Sequence, residues 1–185
     1  LSNDGTLSMS GNYSSNATTS GNGLFRLAGS WTNTGGLFIP GSSTVLFNGS
    51  DDQLITRTGG ESFWNMIVSN SGAPSSKSVK ISNDVNVLGT LTMSLGNIDA
   101  GTFLFFLTNP AVAALNYTSV TGSRVFGKFQ RGIDETGTYL FPLGTSAFYN
   151  PAKLTTNIVA DTGSVLPQFI TSPPPGNTGL PISDS

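Results

Sequence analysis

A short strand-like motif occurs more than once in this chain, and it constrains the fold more than any other feature. The stretch "GTLSMSGNY" (5–13) returns as "GTLTMSLGN" (89–97), and a looser form, "GLFRLAGSW" (23–31), lies between them. Each copy begins with Gly and then alternates apolar with small polar residues. Alternation with a period of two is typical of a strand that buries one face, and the glycines indicate corners where the chain turns.

Two architectures can use such strands. A β-sandwich joins antiparallel strands by hairpins, and the "NG" and "DG" dipeptides of this sequence suit hairpin turns. A β-solenoid instead stacks coils in parallel and produces imperfect repeats of about 18–25 residues, because one coil cannot bury its inner face alone. Aligning Gly5 with Gly23 also aligns Gly11 with Gly29. This repeat favours the solenoid.

Composition supports a β-rich extracellular protein. Of the 185 residues only 10% are charged, whereas 37% are hydrophobic and 10% aromatic, which is enough to supply a core. The net charge is −2, and no run of Lys or Arg offers the clustered cations that a nucleic-acid groove needs. The chain has no Cys and no His, which fits a bacterial secreted protein without disulfides and removes the commonest general base and metal ligand.

The residue composition and pattern of the sequence change near residue 136. Before it, short β-rich runs end in Gly or Asn, and only the stretch 109–117 has helix formers, enough for a single turn. After it, adjacent aromatics and prolines lead into "TSPPPGNTGLPISDS". We predict β-solenoid coils over residues 1–135, a small β-rich appendage over 136–160, and an extended Pro-rich tail over 161–185 that docks on a neighbouring unit.

Part of the chain resembles repeats of very large secreted proteins of Bacteroidota. The family pattern runs G-x-W-x-N, then a phenylalanine, then T-V-x-F-x-G, and finally Q-x-I and F-x-N. The matching residues are Gly29, Trp31, Asn33, Phe38, Thr44, Val45, Phe47, Gly49, Gln53, Ile55, Phe63 and Asn65. The stretches 84–98 and 139–155 are similar to the elements that follow in the family. The resemblance implies a right-handed parallel β-helix in a cell-surface adhesin or filament, of a kind often exported by the type IX system.

The motif predicts two structural residue sets. One set should face the interior and consists of Leu7, Met9, Trp31, Phe38, Phe47, Phe63, Leu91 and Met93. The aromatic residues of this set, together with Trp64, have an alternative interpretation: they could form an exposed platform on which sugars stack. The other set should lie at coil corners and form ladders through side-chain bonds to one another and to turn backbone. It consists of Asn12, Asn33, Asn48 and Asn97.

No catalytic, cofactor or metal site can be assigned from the sequence. The adjacent acids at 51–52 and 134–135 lack the spaced carboxylates of a calcium loop and fit solvated turns better. A glycosidase needs two positioned carboxylates, and no pair is marked out among the 10 acids. An ice-binding face would need a regular T-x-T pattern, which does not persist beyond "GTLTMS".

These observations predict a non-enzymatic structural or adhesive module without cofactors, located outside the cell or at its surface. It should associate head-to-tail with copies of itself or with adjacent repeats of a longer chain, through open β-helix ends and the C-terminal segment. Surface glycans are a further candidate partner, whereas nucleic acid and a membrane span are not expected. The alternative function is that of a carbohydrate-binding or carbohydrate-active β-helix.

Overall fold

The chain folds into a parallel β-solenoid of six coils. A computed structural model describes residues 1–72, 78–119, 122–157 and 160–167. Within these ranges the one helical element is a 3₁₀ turn at Val112–Ala114, where the sequence predicted at most a single turn. None of the described helices is long and apolar enough to cross a membrane. The predicted all-β parallel solenoid is confirmed, and the antiparallel sandwich is excluded.

Each coil passes along three faces. Coils 1 to 4 have one short strand per face, whereas in coils 5 and 6 one long strand covers the second and third faces. In chain order the strands are β1 (Thr6–Met9), β2 (Tyr13–Ser15), β3 (Thr19–Ser20), β4 (Leu24–Leu27), β5 (Trp31–Asn33), β6 (Phe38–Ile39), β7 (Thr44–Phe47), β8 (Gln53–Arg57), β9 (Glu61–Phe63), β10 (Asn65–Ser69), β11 (Ser78–Ile81), β12 (Val85–Val87), β13 (Leu91–Leu95), β14 (Asn97–Leu107), β15 (Leu115–Tyr117) and β16 (Val125–Ile133). On the first two faces the strands pair in parallel from coil to coil, and on the third face β3 pairs with β6, β9 with β12 and β12 with β14.

Parallel pairing in register aligns the inward side chains into columns. On the first face one column consists of Leu7, Phe25, Val45, Met66, Leu91 and Leu115. The next column consists of Met9, Leu27, Phe47, Val68, Met93 and Tyr117. The two copies of the motif therefore occupy equivalent positions in coils 1 and 5, which explains why the chain contains the same short strand twice.

The coils lengthen toward the C-terminal end. The spacing is 18 residues between Leu7 and Phe25, and it reaches 25 residues between Met66 and Leu91. The long strand β14 bends at Gly101, which has a positive φ of 54°, and the register of its pairing with β16 shifts across this bend. Gly127 lies in β16 beside this bend and has a φ of 86°. A Cβ on Gly127 would lie 2.5 Å from the carbonyl oxygen of Gly101. Only glycine fits this corner.

The last coil is followed by a small antiparallel hairpin. Strands β17 (Gly137–Phe141) and β18 (Ala152–Thr156) form it, within the predicted appendage 136–160. The short strand β19 (Gly163–Val165) then pairs antiparallel with the end of β16. Tyr139, Phe141 and Leu143 belong to the same buried core as the coils, so the hairpin packs on the solenoid. Of the predicted tail, only residues 161–167 lie within the described part of the chain.

Candidate functional site: the two ends of the solenoid

Four of the five candidate platform aromatics lie inside the coils. Trp31, Phe38, Phe47 and Phe63 are buried, as the core prediction required. The Trp31 ring lies 4.8 Å from that of Phe38 and 5.3 Å from that of Phe63, in edge-to-face contacts that favour packing. These four rings cannot meet a sugar. Trp64 is the exception, since it lies at the next corner and is 41% exposed.

A buried carboxylate lies beside this aromatic cluster. Glu61 is 1% exposed. One of its carboxylate oxygens, Oε2, accepts hydrogen bonds from Trp31 Nε1 at 2.9 Å and from Asn33 Nδ2 at 3.2 Å. The other, Oε1, lies 3.4 Å from a guanidinium nitrogen of Arg57, which is partly exposed. Enclosed in this way, the carboxylate holds Trp31 and Asn33 in place and offers no reacting atom to a substrate.

Sequence reasoning missed Glu61, although a signal was available. In the stretch "ESF" (61–63), period-two alternation places Glu61 on the same inward side as Phe63. Asn33 was assigned to a corner, but that assignment is wrong because the residue lies in β5 and points inward toward Glu61. The carboxylate supplies a partner for the buried amide nitrogen of Asn33, whereas its Oδ1 has no hydrogen-bond partner among the described residues.

The remaining corner asparagines bond to the backbone or side chains of the neighbouring coil. The Oδ1 atom of Asn12 accepts a hydrogen bond from Ser30 N at 2.8 Å, and that of Asn97 accepts one from Arg124 N at 3.1 Å. Asn48 donates from its amide nitrogen to Leu27 O at 2.8 Å and accepts from the Arg26 guanidinium. These bonds satisfy peptide groups where the strand ladder is interrupted at a corner.

The acidic pairs lie at turns. Asp52 accepts a hydrogen bond from Ser78 N at 2.9 Å and forms an ion pair with Lys80 at 2.7 Å, and this hydrogen-bonded partner raises the pKa of Lys80. Glu135 accepts a hydrogen bond from Val112 N. In the described ranges no group of three His, Cys, Asp or Glu side chains could hold a metal ion.

The N-terminal end of the solenoid is open. Strand β1 is the last strand of the first sheet and β2 of the second, so neither has a neighbour on its outer side in the described part of the chain. Gly5 O and Met9 O accept hydrogen bonds from coil 2. Because backbone groups alternate along a strand, those of Thr6 and Ser8 point away from coil 2, toward the open side. By the same alternation in β2, the backbone groups of Ser14 also point away from coil 2, toward the open side.

Inward side chains of coil 1 are incompletely covered. Leu7 and Met9 face inward as predicted, but they are only partly buried. Their counterparts Leu91 and Met93 are 0% exposed. The difference follows from position, because coil 5 has a coil on both sides whereas coil 1 has one on a single side. The core prediction is therefore corrected for Leu7 and Met9.

The C-terminal end is closed by chain segments that return over coil 6. Leu143 pairs in parallel with Val125 at one end of β16, and β19 pairs with the other end. Between them remains a shallow open groove of about 310 Å³, lined in part by Gly127, Lys128 and Pro167. On the first face, Tyr149 stacks on Tyr117 of β15 with ring planes 4° apart.

Arg131 joins the closing hairpin to the last coil. It is 1% exposed. It donates to Leu140 O at 2.9 Å and to Val112 O at 3.0 Å. Its guanidinium lies over the rings of Tyr139, at 5.1 Å, and Phe141, at 5.9 Å. Burial lowers the pKa of Arg131 to about 10, which leaves it charged at neutral pH. Among the described residues the partners of this buried charge are carbonyls and ring faces, and its Nε has no hydrogen-bond partner there.

Comparison of the chain with protein-family models, with curated proteins and with solved structures finds no match.

Proposed function

We propose that this chain is a non-enzymatic structural or adhesive module of an extracellular bacterial filament or surface adhesin, which associates head-to-tail. One observation carries the proposal: in the described part of the chain the outer side of coil 1 has no paired strand on its first two faces, whereas coil 6 is covered by segments that return over it. A contact between coil 1 of one unit and the closed end of the next is heterologous, and its repetition generates a polar array. The neighbour is a copy of the chain or an adjacent repeat of a longer one.

The shaft between the ends supports a structural role. On the first face its inward positions form continuous apolar columns, and its outward positions are mostly small or polar residues. The column that starts at Ser8 continues through Arg26, Leu46, Ile67, Thr92 and Asn116. Stability then comes from neighbour-to-neighbour stacking, which suits an extended spacer.

The C-terminal segment is the second part of the proposed contact. Residues 161–185 are proposed to dock on the following unit, although 168–185 lie outside the described residues. The chain reaches the closed end at β19, and Pro167 lines the groove there. A segment that starts at the closed end can reach a neighbour stacked beyond it.

Trp64 favours a second candidate function, carbohydrate binding. Its indole is 41% exposed, and the neighbouring corner residue Leu88 is 37% exposed. Trp64 and Leu88 lie at equivalent corners of coils 3 and 4. Gly89, which follows Leu88 in the chain, donates a backbone hydrogen bond to Trp64 O across these corners. An exposed aromatic ring beside an exposed apolar side chain is a surface on which a sugar ring can stack.

Imaging of the full chain tests the proposed function. Negative-stain microscopy and light scattering at rising protein concentration should show fibres or short polar oligomers. Deleting residues 165–185 should abolish them while leaving the β-rich circular dichroism spectrum largely intact. Trp64→Ala serves as the matched control, because it should not affect assembly. A monodisperse monomer at high concentration would contradict the proposal, as would glycan binding or cleavage that Trp64→Ala abolishes while the chain stays monomeric.

A further inference from the structure

Trp64 marks a small apolar patch on the outer surface of the shaft. It follows the buried Phe63, and alternation along the chain turns its side chain outward at the corner between the third and first faces. The equivalent corner residues of the next two coils are Leu88, which is also exposed, and Thr108. The patch therefore consists of Trp64 and Leu88 and ends at a polar residue.

The indole of Trp64 reaches the next coil because the residue that faces it is a glycine. A Cβ on Gly89 would lie 3.1 Å from Trp64 Nε1 and 2.7 Å from Asn65 Oδ1, so a side chain there would compete with the indole for space. Trp64 Nε1 has no hydrogen-bond partner among the described residues. The protein itself therefore leaves this N–H donor unused beside an exposed ring.

A shallow groove begins next to this corner on the first face. Asn65 follows Trp64 in the chain and Thr90 follows Gly89, so the groove continues directly from the indole. It crosses coils 3, 4 and 5, which is two strand spacings or about 10 Å. Its volume is about 210 Å³, and its lining residues are Thr44, Asn65, Ile67, Thr90 and Thr92.

The groove is uncharged and rich in hydroxyl groups. The hydroxyls of Thr90 and Thr92 have no hydrogen-bond partner within the described ranges, and Ile67 adds an apolar group between the polar ones. A sugar ring is divided in the same way, since its C–H faces pack on an aromatic ring and its hydroxyls donate and accept hydrogen bonds. Indole and groove together thus match a sugar chain, and the missing charge favours a neutral one.

The small size of the patch argues against a protein as its partner. A stable protein contact buries about 800 Å² on each side, and its centre is more apolar than its rim. The patch has only two exposed apolar side chains, Trp64 and Leu88, and the adjoining groove is mostly polar. A slim polymer can contact the ring and the hydroxyls at once, without needing a large apolar area.

We propose that Trp64 and the adjoining groove form a binding site for a neutral polysaccharide. One sugar ring stacks on the indole, and the following rings lie in the groove and form hydrogen bonds with Thr90 and Thr92. The inference names the ligand class for the carbohydrate-binding candidate and rests on that candidate. Because the site lies on the shaft, a glycan can bind whether or not the units associate end to end.

Iodide quenching of tryptophan fluorescence tests the site, because of the two tryptophans only Trp64 is exposed and Trp31 is buried. Laminarin, galactomannan and xyloglucan are the neutral probes, and polygalacturonate is the acidic one. At least one neutral polymer should protect Trp64 of the full chain from iodide, and polygalacturonate should not.

Affinity electrophoresis in gels that contain the bound polymer then compares variants. Trp64→Ala should weaken binding by about tenfold or more, because the stacking surface is lost. Thr92→Val keeps the shape of the side chain and removes one hydroxyl, so the loss should be about two- to tenfold. Leu54→Ala is the matched control, since it removes an exposed apolar side chain on the second face and should leave the affinity unchanged.

Several results would overturn the inference. These are protection of Trp64 by none of the neutral polymers, equal protection by polygalacturonate, and equal affinity of Trp64→Ala and the parent chain. Protection that rises with protein concentration in the absence of glycan would show a contact between shafts instead. Fibres without glycan binding would overturn the inference and leave the head-to-tail proposal standing, whereas glycan binding by a chain that stays monomeric would do the reverse.

Discussion

At the scale of single residues, burial of polar groups is controlled by partners far away in sequence. Glu61 meets Trp31 and Asn33, which lie in the coil before it. A carboxylate inside a coil is tolerated because each oxygen has donors and because Arg57 supplies a positive charge. The network fixes the orientation of the indole that contacts the aromatic core.

We expect Glu61→Gln to lower the free energy of unfolding by about 2 kcal/mol, because the new amide N–H₂ faces donors instead of accepting from them. Trp31→Phe keeps the ring packing and removes one donor. Urea denaturation of both single variants and the double variant should give a coupling energy of about 1 kcal/mol. Additive effects would show that the Trp31–Glu61 bond contributes nothing of its own.

At the scale of elements, the hairpin β17–β18 replaces a seventh coil. The inward column Phe63, Val87 and Leu107 ends in Arg131 instead of another apolar residue. The last coil needs a group that satisfies free carbonyls where the regular ladder stops, and a guanidinium with several donors does this. The sequence predicts a small β-rich appendage here but does not identify the residue that holds it.

Replacing Arg131 by Met should loosen the hairpin while leaving the coils folded. The variant keeps side-chain volume but leaves Leu140 O and Val112 O without their donor, so we expect a loss of about 2–3 kcal/mol. Hydrogen exchange should accelerate in residues 137–141 more than in β7 or β10. Lys128→Met, on the exposed side of the same strand, is the control and should change neither quantity. Uniform acceleration throughout the chain would mean that the hairpin and coils unfold as one unit.

At the scale of the whole molecule, position along the stack decides what a given side chain experiences. The motif residues Met9 and Met93 lie in the closely similar stretches GTLSMS and GTLTMS and occupy equivalent places in one column. Only Met93 has a coil on each side. The solenoid therefore resembles a one-dimensional array in which the ends are less stable than the middle.

Met93→Lys should destabilise the protein by on the order of 4 kcal/mol or more, because a charge is placed in a closed core. Met9→Lys should cost only about 1 kcal/mol, since its ammonium can reach water at the open end. Thr92→Lys, on the outward side of the same strand, is the control and should be within about 0.5 kcal/mol of the parent. Thermal and urea unfolding at low protein concentration measure all three, and equal losses for the two methionine variants would contradict an open end.

The regular coil can be derived from local sequence patterns alone. Alternation in "GTLSMS" and "GTLTMS", glycines at corners and the 18-residue spacing of Gly5 and Gly23 require only local sterics and the burial of one strand face, so they can be read without a structure. The ends of the solenoid and its interior polar contacts depend on how the coils pack on one another. Leu7 and Leu91 differ in burial because stacking differs, Asn33 turns inward because Glu61 lies in the next coil, and Arg131 is buried because the hairpin folds back over it. Such contacts join residues far apart in the chain, and local patterns carry no information about which distant groups will meet.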